Sequence, residues 1–415
     1  MQFRLAREFA DCVLGGMKVY SYRDVLTFVE EEDVKFIRLA FCDVKGKPKN
    51  ISIMPSELER AFSSGISFNA SAICGFDTDY KADLFLHPDP STLCVLPWRP
   101  QHGRVVRMFC DITYPDGTPF ERDGRYILKN AIEAASKRGL QFYFGAEFEF
   151  YLFKTDEMGE PTKIPFDRAG YMDIAPDDKG ETVRREICLT LLDMDIIPES
   201  SHHEKGPSQH EIDFKYSDAL RAAEDAVTFK SVVKTVAMRN GLHASFSPKP
   251  LENESGNGLH INISVSSQDG RDYCDNIVAG IMSKIKEITL FLNPGANSYS
   301  RLGEMTAPRY ITWSGKNQSQ LIKIPAMRDG LKRMEIRSSD PTANPYIVYA
   351  LLIRAALLGI ENDLKLPEPV DIDLYSADEK TRGKYERLPD SLEDALEEAK
   401  NSGFVKSVLP EGYII

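Results

Sequence analysis

Gln141–Phe153, QFYFGAEFEFYLF, decides the fold. Its even positions are Phe142, Phe144, Ala146, Phe148, Phe150 and Leu152, and its odd positions include Glu147 and Glu149. Successive side chains of a strand point to opposite faces, so this period of two predicts a strand with both glutamates on one face and an aromatic face behind them. Three further segments share the design. In Leu259–Val265, His260, Asn262 and Ser264 oppose Leu259, Ile261, Ile263 and Val265. In Arg333–Arg337, Arg333, Glu335 and Arg337 oppose Met334 and Ile336. In His210–Phe214, Glu211 and Asp213 oppose Ile212 and Phe214. The simplest arrangement is one curved antiparallel sheet with its charged front lining a cleft. Its apolar back would be covered by helices expected at Gly180–Met194, Ser217–Asn240 and Asn344–Asn362. A surface sheet also alternates. Surface strands, however, mix Lys, Thr and Glu, whereas here glutamates and a histidine form one set and arginines another.

Ser201–Phe214, SHHEKGPSQHEIDF, concentrates His202, His203, Glu204, His210 and Glu211 in a chain with seven histidines. Gly206 and Pro207 make the middle a turn between two short elements, so Glu204 and Glu211 can fold back towards one point. The plain alternative is a solvated acidic loop. Converging carboxylates repel without a counter-charge, which favours a metal or catalytic site. Five carboxylates (Glu147, Glu149, Glu204, Glu211, Glu335) and the His260 imidazole suit oxygen-bound divalent cations, Mg²⁺ or Mn²⁺. Arg301, Lys323, Arg333 and Arg337 would supply the positive charge needed by a phosphoryl group in transfer from a nucleotide. Several motifs fail. The P-loop pattern is absent, and His203-Glu204 has Pro207 where H-E-x-x-H needs its second histidine. Gly256-Asn257-Gly258 precedes a strand rather than a helix, the wrong context for a dinucleotide fingerprint. Two same-face glutamates on one strand cannot flank a glycosidic bond.

The remainder of the chain bounds the problem. Its 415 residues can bury a large core and are expected to form two domains. A net charge of −12 argues against binding nucleic acid through a basic face. No apolar run reaches membrane-spanning length and no signal-peptide pattern opens the chain, so no membrane partner is expected. Seven scattered cysteines without C-x-x-C read as reduced thiols of a cytoplasmic protein and do not suggest zinc. Residues 1–16 fit the pattern poorly, and Met17 begins a cleaner one. Tyr20–Glu31 and Pro55–Phe62 are expected helices, and Phe36–Asp43, Asn50–Met54, Thr92–Leu96 and Val105–Asp111 expected strands. Ser63–Gly75 reads as a loop. These make a small α+β domain, 17–111, followed by a larger one, 112–415, which opens with a helix at Arg125–Arg138. Ser391–Ser407 reads as one closing helix.

The motifs GAEFEF (145–150), HHEKGPSQHEI (202–212), GNGLHINIS (256–264), NPGANSYSRL (293–302), KNQSQLIKIP (316–325) and RMEIRSSDPTANPY (333–346) follow one another in order. Together they make the chain, from about Tyr20, resemble the glutamine synthetases of the bacterial type I kind. The resemblance implies an α+β chain with a small N-terminal β-grasp domain and a larger C-terminal catalytic domain carrying a half-barrel sheet backed by helices. It implies a role in nitrogen metabolism and a dodecamer of two hexameric rings, each active site completed by a neighbouring subunit's N-terminal domain. It implies that ATP phosphorylates the γ-carboxylate of glutamate and that ammonia or another amine then displaces phosphate. By the same resemblance, Glu149, Glu204 and Glu211 match the ligands of one metal, and Glu147, His260 and Glu335 those of a second beside the nucleotide phosphates. Gly256 lies in the loop that holds glutamate. Arg301 and Arg337 match arginines for its carboxylates or the acyl phosphate, and Ser264, Lys323 and Arg333 match nucleotide or phosphate contacts.

The departures bear on the amine. The family's F-D-G-S-S-I reads Phe68-Asn69-Ala70-Ser71-Ala72-Ile73, so the aspartate that handles ammonium is Asn69, which cannot take up a proton near neutral pH. The family's R-L-x-x-x-x-E-A-P reads Arg301-Leu302-Gly303-Glu304-Met305-Thr306-Ala307-Pro308, with Thr306 where a catalytic glutamate should stand and Glu304 as its substitute, two residues out of register. Gln318 replaces an arginine, Asn262 the second histidine of H-x-H, and Ser255 a frequent asparagine. Three readings follow: a ligase making γ-glutamyl amides from an alkylamine, polyamine or other nucleophile; a true glutamine synthetase with altered loops; and a non-catalytic relative that binds nucleotide and metal. Tyr375, in DIDLYSAD, lies where some relatives carry an adenylylated tyrosine and reads here as a surface-loop residue.

Overall fold

The computed structural model describes residues 20–76, 83–98, 103–304, 307–325 and 332–414. The expected extension before Met17 and the position of Thr306 lie outside them. The chain forms two compact units, one made of residues up to Cys42 with Pro48–Phe120, the other of Asp43–Lys47 with Glu121–Ile415.

In the smaller unit, α1 (Tyr22–Glu31) starts where Ser21 and Asp24 cap each other's backbone N–H groups, closing two of the donors that a helix start leaves open. Strands β1 (Val34–Cys42) and β2 (Pro48–Ile53) pair as an antiparallel hairpin, and α2 (Leu58–Ser64) follows. After β3 (Ile66–Asn69), β4 (Asp83–Pro88), β5 (Cys94–Val95) and β6 (Arg104–Thr113), the sheet has the order β2-β1-β6-β4-β3, with β5 on β6. The β1–β6 pair is parallel, so the sheet is mixed. The loop expected over Ser63–Gly75 contains β3, whose four residues include Ser67 and Asn69 and carry too short a pattern to announce a strand. The strand expected at Thr92–Leu96 is reduced to the two residues of β5, because Pro90–Thr92 is a single 3₁₀ turn.

The larger unit opens with α3 (Gly124–Ser136) and the long strand β7 (Leu140–Thr155). There follow β8 (Pro161–Pro165), α4 (Glu181–Leu192), β9 (Pro198–His203), β10 (Gln209–Phe214), β11 (Ser217–Asp218), α5 (Ala219–Arg239), β12 (Leu242–Ser245) and β13 (Leu259–Ser267). All four segments with charged faces enter one ten-stranded sheet, in the order β14-β15-β16-β13-β7-β10-β9, where β14 is Trp313–Ser314, β15 Ile322–Lys323 and β16 Arg333–Ile336. Their pairings are antiparallel, and β7 is the common partner of β10 and β13. The half-barrel's apolar back is aromatic: Phe148 stacks on Phe214 and on Phe229 of α5, and Phe144 on Tyr349 of the buried helix α7 (Pro345–Glu361).

Helix α6 (Cys274–Leu292) was not among the expected ones, although Ile277, Ile281, Ile285, Ile288 and Leu292 are buried at helical spacing. It crosses α7 at Gly280 and Gly359, where a Cβ on either would run into backbone of the other helix. The closing helix expected over Ser391–Ser407 is two: after α8 (Glu379–Arg382), α9 (Leu392–Asn401) ends and α10 (Gly403–Val408) restarts at Ser402, whose hydroxyl accepts from Val405 N–H at 2.9 Å.

Candidate active site

The sheet register assembles the site. On β7, Glu149 faces Glu211 of β10, and Glu147 stands between Asp213 of β10 and His260 of β13. One strand further, Asn262 faces Glu335 of β16, which in turn faces Lys323 of β15. The turn between β9 and β10 brings Glu204 back to the same place. That turn is pinned from below. His203 Nδ1–H donates to the Glu204 carbonyl at 2.6 Å, its Nε2 meets Asp167 Oδ1 at 3.0 Å, and Ser208 N–H donates to the same Asp167 oxygen at 3.1 Å.

Four overlapping groups then hold ligand-capable atoms within 4.8 Å of one another: Glu147 with His260 and Glu335, Glu149 with Glu211 and His260, Glu204 with Glu211 and His202, and Glu147 with Glu211 and Asp213. All six ligand candidates are in this set, and His202 and Asp213 join them. Burial and the charges of Glu149, Asp213, Glu147 and Glu204 push the Glu211 carboxyl up to about 11. Burial would also raise Glu147, but hydrogen bonding to His260 and the charge of that ring bring it down to about 2. Asn262 Nδ2 adds a hydrogen bond to Glu147 at 2.8 Å. His260 Nδ1–H donates to Glu147 Oε2 at 3.1 Å, and its Nε2 is buried without a hydrogen-bond partner. Crowded carboxylates whose mutual repulsion raises Glu211, beside an orphaned imidazole nitrogen oriented by a carboxylate, fit a divalent-cation site of mixed oxygen and nitrogen donors.

Cationic groups border the acids. Arg301 is fully buried. Its NH2 donates to the carbonyls of Ser338 at 2.5 Å and Ser339 at 2.7 Å, while its Nε and NH1 have no hydrogen-bond partner. Buried guanidinium donors without partners favour an incoming anion. Gly256 packs against this side chain so closely that a Cβ there would lie 2.5 Å from Arg301 Cγ, which accounts for glycine. Arg337 NH1 binds Glu335 Oε1 at 2.5 Å, and its Nε is unpaired. Lys323 Nζ lies 3.8 Å from Glu335 Oε2. Arg333, with Nε unpaired, sits opposite Ser264 in the β13–β16 register. Glu304 behaves differently: both its oxygens are 2.6 Å from Lys249 Nζ. Asn69 is exposed and its side chain caps the following turn through Ser71 N–H and the Ser71 hydroxyl. Tyr375 is not a plain surface residue, since its hydroxyl is buried without a hydrogen-bond partner.

Gln209 escaped the sequence reading, although it lies inside the quoted HHEKGPSQHEI. It is fully buried, and its Nε2 reaches Glu149 Oε2 at 2.9 Å, the Gly256 carbonyl at 3.0 Å and Asn257 Oδ1 at 3.2 Å. A neutral amide carries no charge signal in a sequence. Tyr151, read as part of the strand, donates its hydroxyl to the Ser255 carbonyl at 2.6 Å and so holds the same loop.

Known proteins resemble this chain over nearly its full length. Residues 121–414 match the family model "Glutamine synthetase, catalytic domain" and residues 33–115 "Glutamine synthetase, beta-Grasp domain". A glutamine synthetase of Methanosarcina mazei is 43% identical over 413 residues, covering 95% of this chain and 92% of the relative. One of Clostridium saccharobutylicum is 41% identical over 408 residues, with 95% and 92% covered. Among solved structures, a GmaS–ADP complex superposes with a TM-score of 0.85 at 27% identity, covering 94% of this chain and 93% of GmaS. Ligand-free GmaS gives 0.84 at 27%, with 94% of both chains covered.

Proposed function

Since the chain belongs to the glutamine synthetase family and is thereby an ATP-dependent ligase of that family, we propose that it activates the γ-carboxylate of glutamate and joins it to an amine other than ammonia. Glu149, Glu204 and Glu211 would hold one divalent cation, Mg²⁺ or Mn²⁺, and Glu147, His260 and Glu335 a second. Such cations, when bound, offset the negative charge of the nucleotide phosphates. The unpaired Nε and NH1 of Arg301 would take a carboxylate of glutamate beside the backbone of Gly256. Arg337 would hold the acyl phosphate, and Lys323, Arg333 and Ser264 the nucleotide and its phosphates. An acyl phosphate is needed because a carboxylate is a poor electrophile, and water must be kept from it.

The observation that carries the choice of amine is the pairing of Glu304. Its carboxylate, at the end of the turn that carries Arg301, is neutralised by Lys249. Asn69 likewise offers no carboxylate. An amine that arrives partly neutral, with an alkyl group to bury, needs neither. A second reading, glutamine synthesis from ammonia, is favoured by the 41–43% identity to curated glutamine synthetases. Six converging ligand candidates speak against a non-catalytic role, because such a set is unfavourable without a cation to bind.

The test is to incubate the protein with MgATP and glutamate, adding ammonium to one sample and primary amines or polyamines to others, and to weigh the products by mass spectrometry. A γ-glutamyl amide with one amine and little glutamine is expected. Ready glutamine formation with ammonium would instead establish the second reading.

A further inference from the structure

Gly256 and Arg301, proposed above to receive the acid substrate, lie on two loops that belong to no sheet. One, Ser247–Gly258, carries Gly256. The other runs from Asn293 to Glu304 and carries Arg301. Lys249 joins them. Its side chain is 8% exposed, against 43% for Glu304, and its ammonium has three acceptors, both Glu304 oxygens at 2.6 Å and the Glu254 carbonyl at 2.7 Å. All three of its protons are therefore satisfied, and one side chain ties position 249 to positions 254 and 304. The same two loops also meet through Asn297. Its Oδ1 accepts from Lys249 N–H at 3.0 Å, and its Nδ2 donates to the Lys249 carbonyl at 3.0 Å and to Ser247 Oγ at 3.1 Å. The Pro248 carbonyl accepts from Asn257 N–H at 2.8 Å, which closes the first loop on itself around Gly256. Glu304 N–H in turn donates to the Arg301 carbonyl at 3.3 Å, which carries the pull of the ion pair back to Arg301.

We propose that Lys249 is a positioning residue: its ion pair with Glu304 clasps the Gly256 loop to the Arg301 turn and sets the width of the pocket that receives the acid substrate. A buried ammonium without partners is costly, so the pair favours the one loop arrangement in which all three acceptors are met. The anion-facing donors, Arg301 Nε and NH1, lie on one loop, and the backbone of Gly256 lies on the other. Fixing the gap between them therefore acts on acid binding rather than on the nucleotide. That substrate assignment rests on the function proposed above.

Four variants test the clasp: Lys249→Met, Lys249→Arg, Glu304→Gln and the exchanged pair K249E/E304K. Glutamate binding is followed by calorimetry with Mg²⁺ and ADP present, and backbone hydrogen exchange of 249–258 and 301–304 without ligand. Lys249→Met and Glu304→Gln are each expected to weaken glutamate about tenfold, the scale of a charge-assisted hydrogen-bonded contact, with ADP affinity unchanged. Exchange in both segments should quicken together, and Lys249→Arg and the exchanged pair should recover much of both. In turnover with whichever amine is active, the loss in Lys249→Met should fall on the KM for the acid, with kcat held within about twofold. Equal glutamate affinity and unchanged exchange in Lys249→Met would overturn the clasp. If the native protein binds no glutamate, the substrate assignment falls. The exchange experiment then still decides the clasp, since faster exchange confined to the two segments supports it and unchanged exchange removes it.

Discussion

At Gln209 one buried amide group serves three acceptors, one of them on the candidate ligand Glu149 and another on the Gly256 backbone. Gln209→Leu keeps the volume and removes those bonds. It should lower Mn²⁺ affinity about 10- to 100-fold, the usual cost of losing a partner that orients a ligand, as calorimetry would measure. Asn69 poses the opposite question. If the missing carboxylate is what limits ammonia, Asn69→Asp should raise kcat/KM for ammonium, by about tenfold or more, while leaving the preferred amine little changed. An unchanged ammonium profile would detach Asn69 from amine choice. Both residues were visible as letters. Asn69 could be read as a departure because a charged residue was expected there, whereas Gln209 became legible only through its distances.

At the scale of elements, β7 organises the catalytic unit because its register with β10 and β13 places Glu147 and Glu149 among their partners. A slip by one residue would turn both glutamates to the aromatic back, so the alternation itself opposes misregister. The crossing of α6 and α7 depends on two absent side chains, at Gly280 and Gly359, whose backbones touch. Gly280→Ala should destabilise the protein by about 1–3 kcal/mol through overpacking, read as a lower denaturant midpoint with an unchanged slope. Helix α6 went unread although its apolar residues recur at helical spacing. Its contact with α7 was not readable, since a glycine in a helix announces no partner. The break at Ser402 was equally hidden, because a serine is at home both inside an amphipathic helix and at the cap that starts a new one.

For the whole molecule, cation binding should couple to stability. Mg²⁺ or Mn²⁺ should raise the melting temperature and a chelator should lower it, because the cation binds the folded arrangement of carboxylates and not the unfolded chain. Glu211→Gln should raise the metal-free melting temperature by relieving repulsion, and should shrink the increment that metal adds. A cation-independent melting temperature in the native protein would count against a metal site. Assembly into rings is also a proposal, checked by light scattering for a mass several times the 46.7 kDa of one chain. No helix among the described residues is long and apolar enough to cross a membrane. By itself the sequence determined the α+β class, the four charged-front strands and the family, because period-two alternation and ordered motifs are local properties of the chain. It also named the acids and arginines of the candidate site. Only the tertiary structure decided what those charges meet: that Glu304 is spent on Lys249, that Arg301 keeps two donors free, and that Gln209 joins Glu149 to the Gly256 loop. These are contacts between residues far apart in the chain, and a charge's role depends on the partner that folding brings to it.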